Sequence, residues 1–232
     1  VNHDVVIVGW DDSYSADNFS TVPEGDGAFI CVNSWGTDFC EDGYFYVSYY
    51  DSGIGVHNVV YSSIESVDNY DKIYQSDLCG WVSQLGYSRS NAFFASVYTA
   101  EYDESLEAVG FYATGENTSY KVYFTENFKD AQSLNDRVLV AEGYLTNAGY
   151  YTIDLNTPCN LTRGTRFGVI VEIDTPGAQY PVAIENKGDS KSEYAIINDG
   201  ESYLSLQGSK WEHIEETQNC NACLKAYTNY RD

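Results

Sequence analysis

Methionine is absent from the 232 residues. A natural reading frame opens on Met, so Val1 is not expected to be a translation start, and a segment upstream is expected to have been removed. Positive charge is scarce and late: 12 Lys and Arg stand against 35 Asp and Glu, and none of the 12 precedes Lys72. With a formal net charge of −23 there is little to neutralise phosphates, which excludes nucleic acid as a partner. No apolar run approaches the roughly 20 residues that a helix needs to cross a bilayer, so no transmembrane segment is expected. No signal peptide remains at Val1, as expected if the front of the protein is missing. The surplus of acid keeps a secreted or surface-attached protein soluble, and an extracellular or cell-surface location is expected.

What is present is enough for a core: 43% of the residues are hydrophobic and 20% charged, which is not the composition of a disordered chain. The break in charge at Lys72 marks a domain boundary within 62–75. The expected organisation is a first part over 1–65, a polar connector over 66–73 and a second part over 74–232. Short segments punctuated by Gly and Asp read as strands: Val5–Trp10, Ala28–Val32, Tyr44–Tyr50 and Val56–Tyr61. Further along, Val109, Phe111 and Ala113 alternate, as do Tyr120, Val122 and Phe124, and Phe167, Val169, Val171 and Ile173. Tyr150–Leu155 and Leu224–Tyr227 read as strands too, with turns at 115–117, 175–177 and 198–200. Many short strands with regular turns predict a mainly β protein whose second part is a β-sandwich, jelly-roll-like. Six cysteines fit disulfides in an extracellular chain, but spacing alone does not pair them. The many acids leave calcium binding open.

Two motifs carry chemistry. The first is Asn2-His3-Asp4-Val5-Val6-Ile7-Val8-Gly9-Trp10, and the second is Asn33-Ser34-Trp35-Gly36-Thr37 with Gly43-Tyr44-Phe45 downstream. Together they resemble the His and Asn regions of papain-like cysteine proteases, so the first part is expected to be the β-rich half of such a domain. The resemblance implies that His3 is the general base and acid, that Asn33 orients its ring, and that Trp35 shields their hydrogen bond from water. In an extended strand, Trp35 would face the same side as Asn33. In this chemistry an imidazole takes the proton of a thiol and later gives it to the leaving amine.

The departures are as informative. The family's nucleophilic Cys lies far upstream of its His, and His3 leaves no room for it. The family's Trp-Gly after Asn-Ser-Trp-Gly-Thr-x is Phe39-Cys40 here. For Cys31 and Cys40, a buried thiol or a disulfide is the simpler role. The implied partners are the missing N-terminal half of the peptidase domain and a peptide or protein substrate, and this chain alone is expected to be inactive. The alternative is a non-catalytic surface-binding or adhesion module with a vestigial protease half.

Residues from about 74 to 229 resemble the lectin-like domain that follows papain-like domains in bacterial cell-surface proteases. The pieces include Ile73-Tyr74-Gln75-Ser76-Asp77, Gly80-Trp81, Asn91-Ala92-Phe93-Phe94 and Gly164-Thr165-Arg166-Phe167-Gly168-Val169. Trp81 and Trp211 are candidates for a ligand platform, with a carbohydrate or cell-wall ligand, although the commoner role of Trp is a core anchor. Cys220-Asn221-Ala222-Cys223 has metal-like spacing, but one Cys pair without a second pair or a nearby His is a weak metal signal, and a local disulfide or two free thiols is the expected role. His57 and His213 belong to no motif. No cofactor and no metal ligand set is expected.

Overall fold

The computed structural model describes residues 3–56, 58–188, 190, 192–197 and 200–231. The chain divides into two compact units, Val1–Ile64 and Glu65–Asp232.

Three of the apolar runs in the first unit become strands: β1 (Val6–Asp11), β2 (Ala28–Val32) and β3 (Tyr44–Ser48). They form an antiparallel sheet in the order β1-β2-β3. Cys31 sits opposite Ile7 on one side and Phe45 on the other, and β1 bulges between Ile7 and Gly9. Ala28 and Cys31 are fully buried, but Val6, Val8 and Trp10 of β1 are exposed.

The fourth expected strand, Val56–Tyr61, does not form. Val59, Val60 and Tyr61 are 80%, 81% and 84% exposed, and no described residue beside them belongs to a strand. β-branched and aromatic residues favour a strand only when a neighbouring strand offers pairing and cover. His57 lies outside the described residues.

In the second unit, nearly continuous β structure follows Lys72. The strands are β4 (Lys72–Tyr74), β5 (Ser83–Leu85), β6 (Asn91–Thr99), β7 (Glu104–Ala113) and β8 (Thr118–Thr125). Next come β9 (Val138–Leu145), β10 (Gly149–Leu161), β11 (Arg166–Asp174) and β12 (Val182–Asn186). β13 (Ser202–Ser205), β14 (Glu212–His213), β15 (Cys220–Ala222) and β16 (Leu224–Tyr230) complete the unit, with an α-helical turn at Ile214–Thr217 and a 3-10 turn at Ala131–Asn135. The first strand thus begins inside the segment expected to be connector. The turn expected at 198–200 has Asn198 and Asp199 outside the described residues.

A four-stranded sheet, β10-β7-β16-β4, and a six-stranded sheet, β14-β13-β6-β11-β8-β9, share one core. Val109, Phe111, Leu224 and Ala226 come to it from the first, and Phe94, Val122, Phe124 and Phe167 from the second. Ring contacts tie the two layers, Phe94 to Phe111 at 6.3 Å and Tyr74 to Phe167 at 5.5 Å. This is the mainly β sandwich arrangement that the alternating strands predict. A third sheet, β15-β12-β5, adds Val182, Ile184 and Ala222 to the same core.

Two details show how the sequence sets this packing. In β7 a bulge opposite Tyr227 and Thr228 inserts Glu107, so Leu106 and Val109 both reach the core although they are three apart. β6 has no solvent face. Ala92, Phe94 and Tyr98 enter the main core, while Phe93, Ala95 and Val97 enter a second cluster with Phe128, Leu134, Ile170 and Tyr203.

Buried charge is held by hydrogen bonds rather than by cations at one notable place. Glu104 is fully buried; one oxygen accepts from the Tyr74 hydroxyl at 2.5 Å and the Tyr102 N–H at 2.9 Å, and the other from the Thr228 hydroxyl at 2.5 Å. These bonds fasten the edge strand β4 and the last strand β16 to the start of β7.

Candidate active site

β2 ends at Val32 and delivers Asn33 into a turn. The Asn33 N–H donates to the Gly43 carbonyl at 3.2 Å, and the Gly43 N–H donates to the Phe39 carbonyl at 2.7 Å. Gly43 has φ +90°, and a Cβ there would stand 3.1 Å from the Gly36 carbonyl oxygen, so the closure of this loop needs glycine. The loop thereby returns to β3 and leaves the Asn33 side chain fixed; the residue is only 8% exposed.

His3 precedes β1, and its Nε2 lies 3.1 Å from Asn33 Oδ1. With Nε2–H donating to that oxygen, Nδ1 is left to take up or release a proton. The Trp35 ring stands 5.1 Å from the His3 ring at 35°. The structure therefore brings His3, Asn33 and Trp35 together, but not by the expected route. Ser34 and Trp35 lie in a turn, not in an extended strand, and Trp35 comes back over the imidazole because the chain reverses there. Trp35 remains 62% exposed, so it covers one side of the pair only.

Sequence reasoning missed Phe39. Its ring meets Trp35 edge-on at 4.9 Å, 83°, and Phe45 at 5.9 Å, which backs the indole from behind. The signal was visible as the departure at Phe39-Cys40, where an aromatic is retained although the family's Trp is not.

Three of the cysteines, Cys31, Cys220 and Cys223, lack the character of a nucleophile. Burial in β2 pushes the Cys31 thiol up, the opposite of what a thiolate requires. Cys40 is exposed, in a left-handed turn at φ 48°. In the second unit burial pushes Cys220 up to about 12 and Cys223 higher still. Among the described residues no disulfide joins Cys220 to Cys223, or Cys31 to Cys40. Among the described residues no group of three His, Cys, Asp or Glu is placed to hold a metal ion.

The two platform candidates are in different settings. Trp211 packs on the second cluster, edge-on to Phe93 at 6.5 Å, and its Nε1–H donates to Asn135 Oδ1 at 3.0 Å, as an anchor does. Trp81 is 38% exposed and leans on Tyr112 at 5.6 Å. His213 stacks on Tyr203 at 4.9 Å, 18°.

Comparison with known proteins agrees with this division. Residues 1–64 match the papain family cysteine protease model, and residues 73–228 match the lectin like domain model. A comparison with curated proteins finds no match. Among solved structures the chain is similar to the clostridial cysteine protease Cwp84 after propeptide cleavage. The identity is 30% and the TM-score 0.83, over 99% of this chain and 58% of that one. It is also similar to the structure of the cysteine protease and lectin-like domains of Cwp84, described as a surface layer associated protein of Clostridium difficile. There the identity is 29% and the TM-score 0.76, over 99% of this chain and 52% of that one. The chain thus spans a little over half the length of these structures. Through residues 73–228, most of its length, it belongs to the lectin-like domain family, joined to a papain-family segment over residues 1–64.

Proposed function

We propose that His3 and Asn33 are the imidazole and amide of a Cys-His-Asn peptidase site whose thiol comes from a segment outside these 232 residues. The observation that carries this reading is the 3.1 Å contact between His3 Nε2 and Asn33 Oδ1 beside the Trp35 ring. Asn33 holds the ring so that Nδ1 faces the incoming thiol, takes its proton and keeps it as a thiolate. The thiolate attacks the peptide carbonyl, the imidazolium protonates the leaving amine, and water hydrolyses the acyl-enzyme. Trp35, backed by Phe39, limits the access of water to the Asn33–His3 hydrogen bond.

The exposed apolar residues of β1, Val6, Val8 and Trp10, fit the same reading. They form a surface for the other half of the peptidase domain to cover. This chain on its own does not hydrolyse peptides. The parent acts at the cell surface, as the surface layer association of Cwp84 suggests.

The test is made on the longer parent protein. An active-site-directed epoxide is expected to label one upstream Cys. His3→Ala is expected to abolish both labelling and turnover, and Asn33→Ala to lower kcat by roughly 10²-fold or more, the scale of a lost general-base contribution. Trp35→Ala gives a smaller loss. A parent with no labelled Cys and no turnover would establish a binding module in place of a peptidase, and turnover unchanged in His3→Ala would overturn the role given to His3.

A further inference from the structure

Lysine is rare in this chain and is usually left in water, yet Lys225 of β16 is drawn inward. Its side chain is 14% exposed, and its ammonium is paired with the carboxylate of Asp77, whose side chain is fully buried. By contrast, the acid of the Lys72–Glu101 pair, at 2.8 Å, stays 58% exposed.

An ion pair taken out of water loses hydration that mutual attraction returns only when the remaining lone pairs are also bonded. Here one oxygen is not provided for: Asp77 Oδ1 is buried without a hydrogen-bond partner. Burial holds the Asp77 carboxyl above its ordinary range, against the pull of Lys225. The Cys223 thiol, itself 1% exposed, stands beside the carboxyl, and burial keeps it protonated.

Aromatic rings cover the pair. Lys225 Nζ lies 5.6 Å from the centre of the Tyr150 ring, Tyr150 meets Tyr112 at 4.9 Å, and Trp81 leans on Tyr112. Gly110 of β7 sits opposite Lys225, and a Cβ there would strike the Tyr150 hydroxyl, so glycine lets that ring lie across.

The loop that carries Asp77 is fixed on both sides. The Asn221 amide donates to the Ser76 carbonyl at 3.1 Å, and Glu185 Oε1 accepts the Cys79 N–H at 2.6 Å. Asn221 and Glu185 are fully buried. An amine and a carboxyl are thus held in contact in a dry site, and well-oriented groups reach effective molarities of about 10⁵–10⁸ M.

We propose that Lys225 Nζ and Asp77 Cγ join as an intramolecular amide, a covalent bond between β16 and the loop after β4. One proton moved across the contact turns the ion pair into amine and carboxylic acid, the form that a dry site favours. The Nζ lone pair adds to Cγ, and a Cγ–O bond breaks. The oxygen leaves as water with the carboxyl proton and one proton from nitrogen, so no oxidant or other reactant is needed. The Cys223 thiol can donate to the carboxyl oxygen as charge gathers there, and it is unchanged at the end. The bond removes two buried charges and links residues 148 positions apart, which constrains the unfolded chain as a disulfide would. It rests on the second unit alone and is independent of the His3–Asn33 reading.

Intact mass spectrometry of the full chain, reduced and denatured, is the test. The wild type is expected to be lighter than its sequence by one water. After digestion, tandem spectra are expected to show a branched peptide joining Asp77 to Lys225. Lys225→Arg, which keeps the charge but has no primary amine, and Asp77→Ala are each expected to restore the full mass. A wild type at its full sequence mass would overturn the proposal without recourse to any variant. So would a lost water with residues 77 and 225 on separate peptides, or a lost water that persists in Lys225→Arg.

Discussion

In the first unit only Ala28 and Cys31 among the described apolar residues are buried, whereas the second buries Phe94, Phe111, Phe167, Leu106 and Ile170 almost completely. Both are antiparallel β structures built from Val, Ile, Tyr and Phe. The difference is the number of layers. A sheet is apolar on at least one face and needs a second layer to bury it. The second unit supplies that layer from its own strands, as Phe111 of β7 meets Phe94 of β6. The first unit has one three-stranded sheet, and Trp10 on it stays 68% exposed. Composition alone would not have separated the two.

The comparison can be broken most directly by cutting the chain. Residues 65–232 alone are expected to unfold cooperatively in urea, and residues 1–64 alone to show no cooperative transition by circular dichroism. The reverse result would mean that the exposed face of β1 is no defect of cover. Next in size, Phe111→Ala removes a fully buried ring between the sheets and is expected to cost about 3–5 kcal/mol of the main transition. Trp10→Ser should leave that transition within about 0.5 kcal/mol, by the same urea measurement. Glu104→Gln sharpens the contrast within the second unit. It removes the charge from a group that accepts from Tyr74, Tyr102 and Thr228, and a loss of roughly 1–3 kcal/mol is expected.

The smallest effect is kinetic. In the native protein at about pH 8, iodoacetamide should modify exposed Cys40 well before Cys31, Cys220 and Cys223, whose thiols burial pushes up. Mass spectrometry reads the order, and equal rates would contradict the burial described for β2 and β15.

The strands most legible in sequence were those whose residues toward the main core alternate. Phe167, Val169, Val171 and Ile173 alternate in β11, and all four are fully buried in the main core. β6 was not recognised as a strand because Asn91–Thr99 is buried on both faces and has no period to read. Tyr150–Leu155 stopped short because β10 continues past a register shift between Asp154 and Cys159 to Leu161. Val56–Tyr61 had strand composition without a strand to pair with.

At the candidate site, His3, Asn33 and Trp35 were named from their motifs, and the structure places them side by side. What the motifs could not convey was the turn that swings Trp35 over the ring, or Phe39 behind it, because both depend on three-dimensional closure at Gly43.

The two-sided burial of β6 has a consequence for how its place is remembered. Most strands are told which way to turn by water: a slip of one residue would drive a charge inward and an apolar group outward. β6 has no such instruction, because a slip would exchange one oily wall for another. Its position must be written in volumes, in the order of small and large through Ala92, Phe93, Phe94 and Ala95, and in single anchors such as the Tyr98 hydroxyl, which donates to the Leu224 carbonyl at 2.6 Å. A strand specified by shape makes its two neighbourhoods answer to each other, and a size change tolerated on one side arrives as a misfit on the other.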